Sequence, residues 1–337
     1  MDENYFNNVE QIQEIINNAH KIIVLQAANP DGDSLGSALA FEQILGDMGK
    51  EPQLYCSVTI PKHLRYLNGW DRVSQEIPID FDASIILDTA ADSLLDSLNQ
   101  VNQHKNLSAK PCIVIDHHNV EPSIGYATVI FNRQAVATSE VVYQIAKHLR
   151  WPLNHEANEN ILAAILSDSL GLTSEATTVQ SIRVVADIVE SGVSIAGLED
   201  RRRQLMRKKP EILAYKGELL QRVEYYANNR VAIIAIPWEE IQKYSYDYNP
   251  SMLVLDDMRL VEGVDVAIAF KTYKDGKVTA KIRCNYGKGI ALDLSKHFTG
   301  GGHSYASGYK ITDGRSFETI KNETIKKATE LLDALTD

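Results

Sequence analysis

Acidic and histidine residues occur at four separated points of the chain, each at the end of an apolar segment. They are Asp31 and Asp33, Asp88, Asp116-His117-His118, and Asp168. Carboxylates that come together raise one another's pKa unless a cation compensates their charge. Carboxylate oxygens with an imidazole suit manganese or magnesium better than a set of thiols would. If the four points meet in the fold, they form a site for one or two divalent metal ions.

Each point taken alone has an ordinary explanation. Asp31 and Asp33 could form a turn and cap a helix, because Asn29-Pro30-Asp31-Gly32 is a turn sequence and Asp is a common helix cap. Asp88 could be a simple strand-end residue, and Asp168 lies near the end of an apolar helical pattern. Two adjacent histidines after an aspartate are less ordinary, because imidazoles there need partners. The coincidence of all four points favours the metal interpretation.

The segments around these points alternate between strand and helix patterns. Short apolar runs predict strands, and helical spacing of apolar residues predicts helices. The predicted strands are 21–28, 53–58, 83–88 and 111–116, and the predicted helices are 34–48, 138–149, 156–167 and 179–191. Such alternation predicts an α/β fold with a mostly parallel sheet flanked by helices. Ligands of these sheets bind beyond the carboxyl ends of the strands, so three of the four points should share one crevice.

The second half of the chain has a different pattern. A charged segment interrupted by Pro210 predicts a helical linker, and the strands and helices after it predict a smaller α+β domain. The turn Lys274-Asp275-Gly276 predicts a hairpin within that domain. We therefore place an N-terminal domain at residues 1–190, the linker at 191–226 and the C-terminal domain at 227–337.

The bulk composition narrows the classes of function. A net charge of −11 argues against binding of long DNA or RNA, which a basic face usually supports. The first residues lack the pattern of a signal peptide, and no apolar stretch approaches the roughly 20 residues that span a bilayer. We expect a cytoplasmic protein that binds neither long nucleic acid nor membrane. The sequence is also compatible with a homodimer.

The motifs taken together resemble those of the DHH phosphoesterase family. The first motif is Asn29-Pro30-Asp31-Gly32-Asp33-Ser34-Leu35-Gly36-Ser37, and Asp88, Asp116-His117-His118 and Asp168 follow in the family's order. Gly300-Gly301-Gly302-His303, followed by Ala306-Ser307-Gly308, resembles the signature of the substrate-binding domain associated with this family. Asp-His-His alone is a weak match, but the five motifs together are specific and span nearly the whole chain.

The resemblance implies roles for these residues. The N-terminal domain would be catalytic and would hold two manganese ions, with Asp88 bridging them and Asp31, Asp33, His117 and Asp168 as further ligands. Asp116 would orient the ring of His117 through its ring N–H. His118 would contact the substrate phosphate or assist proton transfer. The residues that would bind substrate in the C-terminal domain are Arg283, Gly300, Gly301, Gly302 and His303.

One position departs from the family pattern. The first motif usually begins with a metal-binding histidine three residues before the proline, and this chain has Ala27 there. We therefore expect one tight metal ion and a second, weaker one. Manganese is the expected metal, with magnesium or cobalt as alternatives.

The expected activity is hydrolysis of phosphate esters by metal-activated water, on short nucleotide substrates. Oligoribonucleotides of a few residues, linear or cyclic dinucleotides and 3′-phosphoadenosine-type nucleotides all remain open as substrates. The alternative is a nucleotide-binding or regulatory protein whose catalysis is weakened because Ala27 replaces the usual histidine.

Overall fold

The computed structural model describes residues 3–90, 95, 104–118, 121–245 and 248–335. The chain divides into two compact units, Met1–Arg207 and Lys208–Asp337. The segment 191–226, predicted as a linker, is thus shared between the units, and each unit is described separately below.

The first unit contains a parallel sheet of five strands in the order β2-β1-β3-β4-β5. This arrangement confirms the predicted α/β class. The strands are β1 (Lys21–Leu25), β2 (Glu51–Tyr55), β3 (Ala83–Leu87), β4 (Cys112–Asp116) and β5 (Val129–Asn132). Strand β5 was not predicted, because its four residues alternate between buried and half-buried positions and give only a short pattern.

Among the described residues, the longer helices cover one face of this sheet, and the short helix His104–Ser108 contributes Leu107 to the other face. The helices are α1 (Glu3–Asn18), α2 (Gly32–Asp47), α3 (His104–Ser108), α4 (Thr138–Leu149), α5 (His155–Asp168), α6 (Val179–Glu190) and α7 (Ile195–Leu205). Ile22 and Val24 of β1 join the larger core cluster with helix α2, whereas Ile23 and Leu25 join a smaller cluster on the opposite face. Helix α1 was not predicted, because polar residues outnumber the few that it buries.

Helices α2 and α5 lie close together because glycines face the contact. A Cβ atom on Gly36 would lie 2.8 Å from the carbonyl oxygen of Asn160 and 2.9 Å from the Cβ of Ala164. A Cβ atom on Gly32 would lie 2.6 Å from the Cβ of Ser167. The start of α2 and the end of α5 can therefore approach each other only if these positions lack side chains. This approach brings two of the predicted acidic points together.

The second unit contains a mixed sheet of six strands in the order β10-β11-β9-β8-β7-β6. Its strands are β6 (Glu224–Tyr226), β7 (Val231–Ile236), β8 (Val266–Thr272), β9 (Val278–Cys284), β10 (Gly301–Gly302) and β11 (Ala306–Ile311). Strands β7 and β8 run parallel, and the other pairs are antiparallel. The predicted hairpin joins β8 to β9, and Gly276 in its turn has a positive φ of 80°.

Helices also pack on both faces of the second sheet. They are α8 (Pro210–Gln221), α9 (Trp238–Tyr244), α10 (Pro250–Arg259), α11 (Ala291–His297) and α12 (Phe317–Asp333). Leu294 of α11 and Ile320 of α12 join the core cluster on one face. Tyr215 of α8 and Val254 of α10 join the cluster on the other face. Within the described residues, no helix has the length and apolar character needed to cross a membrane.

The glycine contact between α2 and α5 predicts opposite effects for two substitutions in one helix. Gly36→Ala should lower the free energy of unfolding by about 1–3 kcal/mol, because its new methyl group overlaps α5. Gly46→Ala should leave stability unchanged or raise it by roughly 0.5–1 kcal/mol, because no atom lies within 4 Å of a Cβ there. Urea denaturation of both variants measures the difference. Equal effects would show that the close approach of the helices does not depend on Gly36.

Candidate metal centre

The four acidic and histidine points meet in the first unit. One group is formed by Asp88, His117 and His118, and another by Asp33, His117 and Asp168, with the candidate ligand atoms of each group within 4.8 Å of one another. Strands β3 and β4 are neighbours that run parallel, so the residues following them reach the same edge of the sheet. Asp33 reaches this edge from the first turn of α2, and Asp168 from the last residue of α5.

His117 lies at the centre of the cluster. Its Nε2 is 3.7 Å from Oδ2 of Asp33, 3.6 Å from Oδ1 of Asp88 and 3.4 Å from Oδ2 of Asp168. These distances exceed the usual N–H···O range, so the ring does not bond directly to the carboxylates. The Nε2 atom is buried and has no hydrogen-bond partner among the described residues.

The other ring nitrogen of His117 fixes the orientation of the ring. Nδ1 lies 3.1 Å from the carbonyl oxygen of Ala135, which can only accept a hydrogen bond. Nδ1 therefore carries hydrogen, and Nε2 is directed at the carboxylates. Ligand atoms about 2.1 Å from one ion are separated by about 3.0–3.4 Å in octahedral or tetrahedral geometry. The distance from Nε2 to Asp168 lies in this range and those to Asp88 and Asp33 exceed it by 0.2 and 0.3 Å, so the feature that fits a divalent cation is the orphaned buried nitrogen facing three carboxylates.

Asp33 is held by the start of another helix. Its Oδ2 accepts the backbone N–H of Thr138 at 2.6 Å, and its Oδ1 accepts the N–H of Ser139 and the hydroxyl of Ser37, each at 3.1 Å. Ala137, the N-cap of α4, has no side chain that could cap the helix, so Asp33 performs this function. Thr138 and Ser139 were not predicted to be part of the site. The absence of a capping side chain before α4 was the available signal.

Asp88 occupies a strained position at the end of β3. Its φ of 63° is left-handed, a conformation that Asp tolerates better than most residues. Its Oδ1 accepts the Thr138 hydroxyl at 2.9 Å. Burial, followed by the charges of Asp33 and Asp31, raises the pKa of Asp88 well above its ordinary value.

Asp168 experiences the same repulsion as Asp88. Burial, and next the charge of Asp33, raise the pKa of Asp168 to about 7. Two acidic groups with raised pKa values face one imidazole nitrogen, so the cluster lacks positive charge. A bound cation would supply that charge and would favour the ionised form of both carboxyl groups.

Asp31 has a structural task in addition to its position near the cluster. Its Oδ1 accepts the backbone N–H groups of Asp33 and Ser34, each at 3.0 Å, and the Ser34 hydroxyl accepts the N–H of Asp31. This capping box begins α2. Asp31 stands outside both groups of candidate ligand atoms, although its charge raises the pKa of Asp88 and Asp168. Asp31 therefore caps α2, and its role as a metal ligand stays a prediction.

Asp116 accepts the backbone N–H of His117 at 2.8 Å, but the ring that it contacts is that of His118. Oδ1 of Asp116 accepts the ring Nδ1–H of His118 at 2.8 Å, whereas the ring of His117 donates to Ala135. The prediction that Asp116 orients the ring of His117 was therefore wrong. Burial is the largest influence and alone would raise the pKa of Asp116, but the ring bond to His118, the charge of that ring and the backbone N–H groups of His118 and His117 together outweigh burial and lower the pKa. The same bond raises the pKa of His118, whose side chain is about half exposed.

Ala27 lies two residues after the end of β1, and Asp88 directly follows the neighbouring strand β3. The pairing of these two strands ends at Leu25 and Ile86. Ala27 is buried, and its carbonyl oxygen accepts a weak bond from the thiol of Cys56. A methyl group there contributes no ligand atom.

The glycine run of the second unit is partly explained by packing. A Cβ atom on Gly300 would lie 2.5 Å from the Cβ of Tyr309, and one on Gly302 would lie 2.6 Å from the carbonyl oxygen of Ala306. These two glycines allow β10 to lie against β11. Gly301 differs from them, because no atom lies within 4 Å of a Cβ there.

The two remaining predicted substrate-binding residues lie near this run. His303 is exposed, and its backbone N–H donates to the carbonyl oxygen of Ala306 at 2.8 Å. Arg283 is half-buried on β9, and its guanidinium donates to the carbonyl oxygen of Ile282 at 2.9 Å. Both side chains belong to the second unit.

Comparisons with known proteins support the interpretation of the motifs. Residues 21–168 match the DHH family, N-terminal domain. The bifunctional oligoribonuclease and PAP phosphatase NrnA of Thermus thermophilus is 27% identical over 292 residues, which cover 85% of this chain and 83% of that protein. A probable manganese-dependent inorganic pyrophosphatase of Enterococcus faecalis is 25% identical over 188 residues, 53% of this chain and 59% of that protein.

The fold has a close counterpart among solved structures. An exopolyphosphatase-related protein from Bacteroides fragilis superposes with a TM-score of 0.85 at 20% identity, and the match covers 97% of this chain and 98% of that one. The agreement of motif order, cluster geometry and family match leads to one conclusion. Residues 21–168 of this chain are a DHH-family N-terminal domain.

Proposed function

We propose that this protein is a manganese-dependent phosphoesterase that hydrolyses short nucleotides. The observation that carries the proposal is the buried Nε2 of His117, which has no hydrogen-bond partner in the part of the chain that the structure describes and lies 3.4–3.7 Å from three carboxylates. A set of oxygens with one imidazole and no thiol suits manganese. The related pyrophosphatase from Enterococcus faecalis, named as manganese-dependent, supports this choice.

The residues proposed to hold the metal are Asp33, Asp88, His117 and Asp168, with Asp31 beside them. A divalent ion bound there would supply positive charge that lowers the pKa of water and neutralises phosphoryl oxygens. The protein keeps the donors in place through the α4 N-terminus, which fixes Asp33, and through Ala135, which fixes His117. These contacts exist before substrate binds, so the donors need no rearrangement.

His118 is proposed to contact the substrate. Its Nδ1–H is engaged by Asp116, and its half-exposed ring leaves Nε2 available for a phosphate oxygen or a leaving group. The bond to Asp116 raises the pKa of His118, so the protonated, donating form persists to higher pH. Asp116 acts through His118 and is proposed as a positioning residue.

The proposed substrates are short nucleotides, of the kinds that the name of the Thermus thermophilus relative includes. Arg283, Gly301 and His303 are proposed to contact substrate phosphate from the second unit, whereas Gly300 and Gly302 have a packing role as well. An overall charge of −11 supports small substrates over long strands.

A second candidate function is nucleotide binding without efficient catalysis. The observation that favours it is Ala27, whose methyl group provides no ligand atom where the first motif of the family usually has a histidine. An assay with manganese on linear and cyclic dinucleotides, short oligoribonucleotides and 3′,5′-bisphosphate nucleotides separates the two candidates.

Asp88→Asn should lower kcat on the preferred substrate by more than about 100-fold, since loss of even an outer contact to a metal ligand costs about 10–100-fold. The control is Asp71→Asn, which makes the same change of charge at an exposed position. Product release followed by chromatography gives the rates. Equal rates for Asp88→Asn and the wild type would refute the enzyme proposal.

Thermal stability should depend on manganese in a pH-dependent manner. In the metal-free protein the pKa of Asp168 is raised from 3.8 to about 7, so its stabilising contribution is lost as pH rises through that window. Bound manganese would supply the positive charge that the proton supplied at lower pH. The rise in Tm on adding manganese should therefore be larger at pH 8 than at pH 5.5, as measured by scanning calorimetry.

The Asp168→Asn variant is the control for this measurement. It should show a smaller rise in Tm at pH 8 and a weaker dependence on pH. If manganese raised the Tm equally at both pH values in the wild type, the carboxylate cluster would not be its binding site.

Ala27→His should strengthen binding of a second ion. Titration calorimetry of the wild type should show one tight equivalent of manganese and a weaker one. The added imidazole would supply the ligand that the first motif lacks and should tighten the weaker equivalent by at least about tenfold. Ala27→Leu, which adds bulk without a ligand atom, is the matched control. If Ala27→His bound the second manganese ion no more tightly than the wild type, position 27 would not be where the second metal site lacks a ligand.

A further inference from the structure

A cavity of the first unit adjoins the metal cluster. Residues of helices α5 and α7 and of the segment 63–66 line it, and we call it the α5–α7 cavity. Its volume of about 550 Å³ lies within the range of about 300–1,000 Å³ that is usual for small-molecule sites. Ser167 and Leu170 belong to its wall and flank the candidate metal ligand Asp168 along the chain. The cavity therefore begins where α5 delivers Asp168 to the cluster.

The start of α2 links the cavity to the cluster a second time. A Cβ atom on Gly32 would lie 2.6 Å from the Cβ of Ser167 and 4.0 Å from the hydroxyl oxygen of Tyr66. Both Ser167 and Tyr66 line the cavity, and Gly32 directly precedes the candidate ligand Asp33. A ligand that extends from the metal cluster into this cavity contacts only residues of the first unit.

Much of the cavity wall is apolar and exposed. Leucine, isoleucine and methionine side chains dominate it, namely Leu166, Leu170, Ile195, Leu198 and Met206. Leu170 is 74% exposed, Ile195 42% and Met206 37%. Single exposed apolar residues are common on protein surfaces, but several around one cavity indicate a binding site.

The backbone conformation of Leu170 is unfavourable for a leucine. Leu170 has a φ of 53° and Leu172 a φ of 69°, in the left-handed region where a bulky side chain is strained. The turn is fixed by the N–H of Gly171, which donates to the carbonyl oxygen of Leu166 at 2.8 Å, and by the N–H of Leu172, which donates to the hydroxyl of Ser169 at 2.8 Å. Glycine would adopt the φ of position 170 without strain. Because the Leu170 side chain is mostly exposed, packing of the core does not explain it, and contact with a ligand does.

The polar groups of the cavity indicate what kind of ligand it fits. His63, Tyr66 and Ser167 offer an imidazole and two hydroxyls, all of which can both donate and accept hydrogen bonds. The guanidinium of Arg202 is bound to Glu199 at 2.7 Å, so its charge is already compensated. Neutral polar groups and an apolar wall suit a ring with apolar faces and a polar edge better than they suit a phosphate.

We propose that the α5–α7 cavity holds the base of the nucleotide whose phosphate lies at the metal cluster, with Leu170 packed against the ring. This inference rests on the proposed function and adds a residue that determines recognition of the base. The apolar wall contacts the faces of the ring, and the imidazole and hydroxyl groups reach its polar edge. A sugar phosphate without a base lacks both kinds of contact.

Two ligands that differ only in the base test the proposal. Titration calorimetry of the full-length protein with manganese gives the Kd for adenosine 5′-monophosphate and for ribose 5-phosphate, and chromatography afterwards verifies that both are intact. The wild type should bind adenosine 5′-monophosphate at least about tenfold more tightly. Leu170→Gly and Ile195→Ser should each weaken that binding by about three- to tenfold and leave the binding of ribose 5-phosphate unchanged.

The variants carry their own controls for folding. Leu170→Gly should have a Tm no lower than that of the wild type, because glycine relieves the strain at position 170. A loss of affinity in this variant therefore does not come from unfolding. Leu260→Gly removes a leucine that is 85% exposed at the end of α10 and should leave both affinities unchanged. Ile195→Ser tests the cavity from a different helix, independently of the turn at Leu170.

The outcomes separate this inference from the proposed function. If the wild type binds both ligands equally, or if its preference survives both Leu170→Gly and Ile195→Ser, the cavity does not hold the base, whatever the protein hydrolyses. If both variants lose the preference but the wild type hydrolyses none of the nucleotides in the assay above, the base site is supported and the proposed phosphoesterase activity fails.

Discussion

Repulsion among buried carboxylates is the constraint on which the rest of the first unit depends. Asp33 and Asp88 are almost fully buried, and Asp168 is only partly exposed, around one imidazole nitrogen. The fold opposes this repulsion with groups that carry partial positive charge, namely the N–H groups at the start of α4 and the hydroxyl of Thr138. The glycines between α2 and α5 then set how closely Asp33 and Asp168 can approach. Sheet order, helix capping and helix packing together thus hold these carboxylates around the imidazole nitrogen.

The sequence predicted the residues of this cluster because strand ends are easy to recognise. Apolar runs mark the strands of a parallel sheet, and Asp88 and His117 directly follow two of them. The partners of these residues were harder to predict. Ala135 contacts His117 through a backbone oxygen, which no side-chain pattern reveals. Whether Asp116 bonds to the ring of His117 or to that of His118 depends on the backbone conformation of the loop that carries both histidines. Patterns in sequence thus located the donors, whereas local backbone geometry decided how they are held.

In the second unit as well, the sequence pattern predicted some features, whereas the register of the strands determined others. Its glycine run was predicted as a phosphate contact, yet Gly300 and Gly302 also permit two strands to pack. The alternation of Lys281 and Arg283 along β9 is visible in the sequence, but Lys271 and Lys310 join them only through pairing across three strands. Such pairing is set by the whole sheet, so no single segment of the sequence shows that these four basic residues lie on one side of it.

The use of Asp33 as the cap of α4 has a consequence for how this protein can change over time. A substitution there would remove a candidate ligand and would also leave two helix N–H groups without their acceptor. Selection for a folded chain would therefore keep Asp33 even in a descendant that had lost all chemistry. Asp168 has no comparable duty among the described contacts, and its side chain is about one-third exposed. Among related chains, an aspartate kept at position 168 is therefore the better indicator of retained activity, whereas an aspartate kept at position 33 indicates chiefly that the fold is retained.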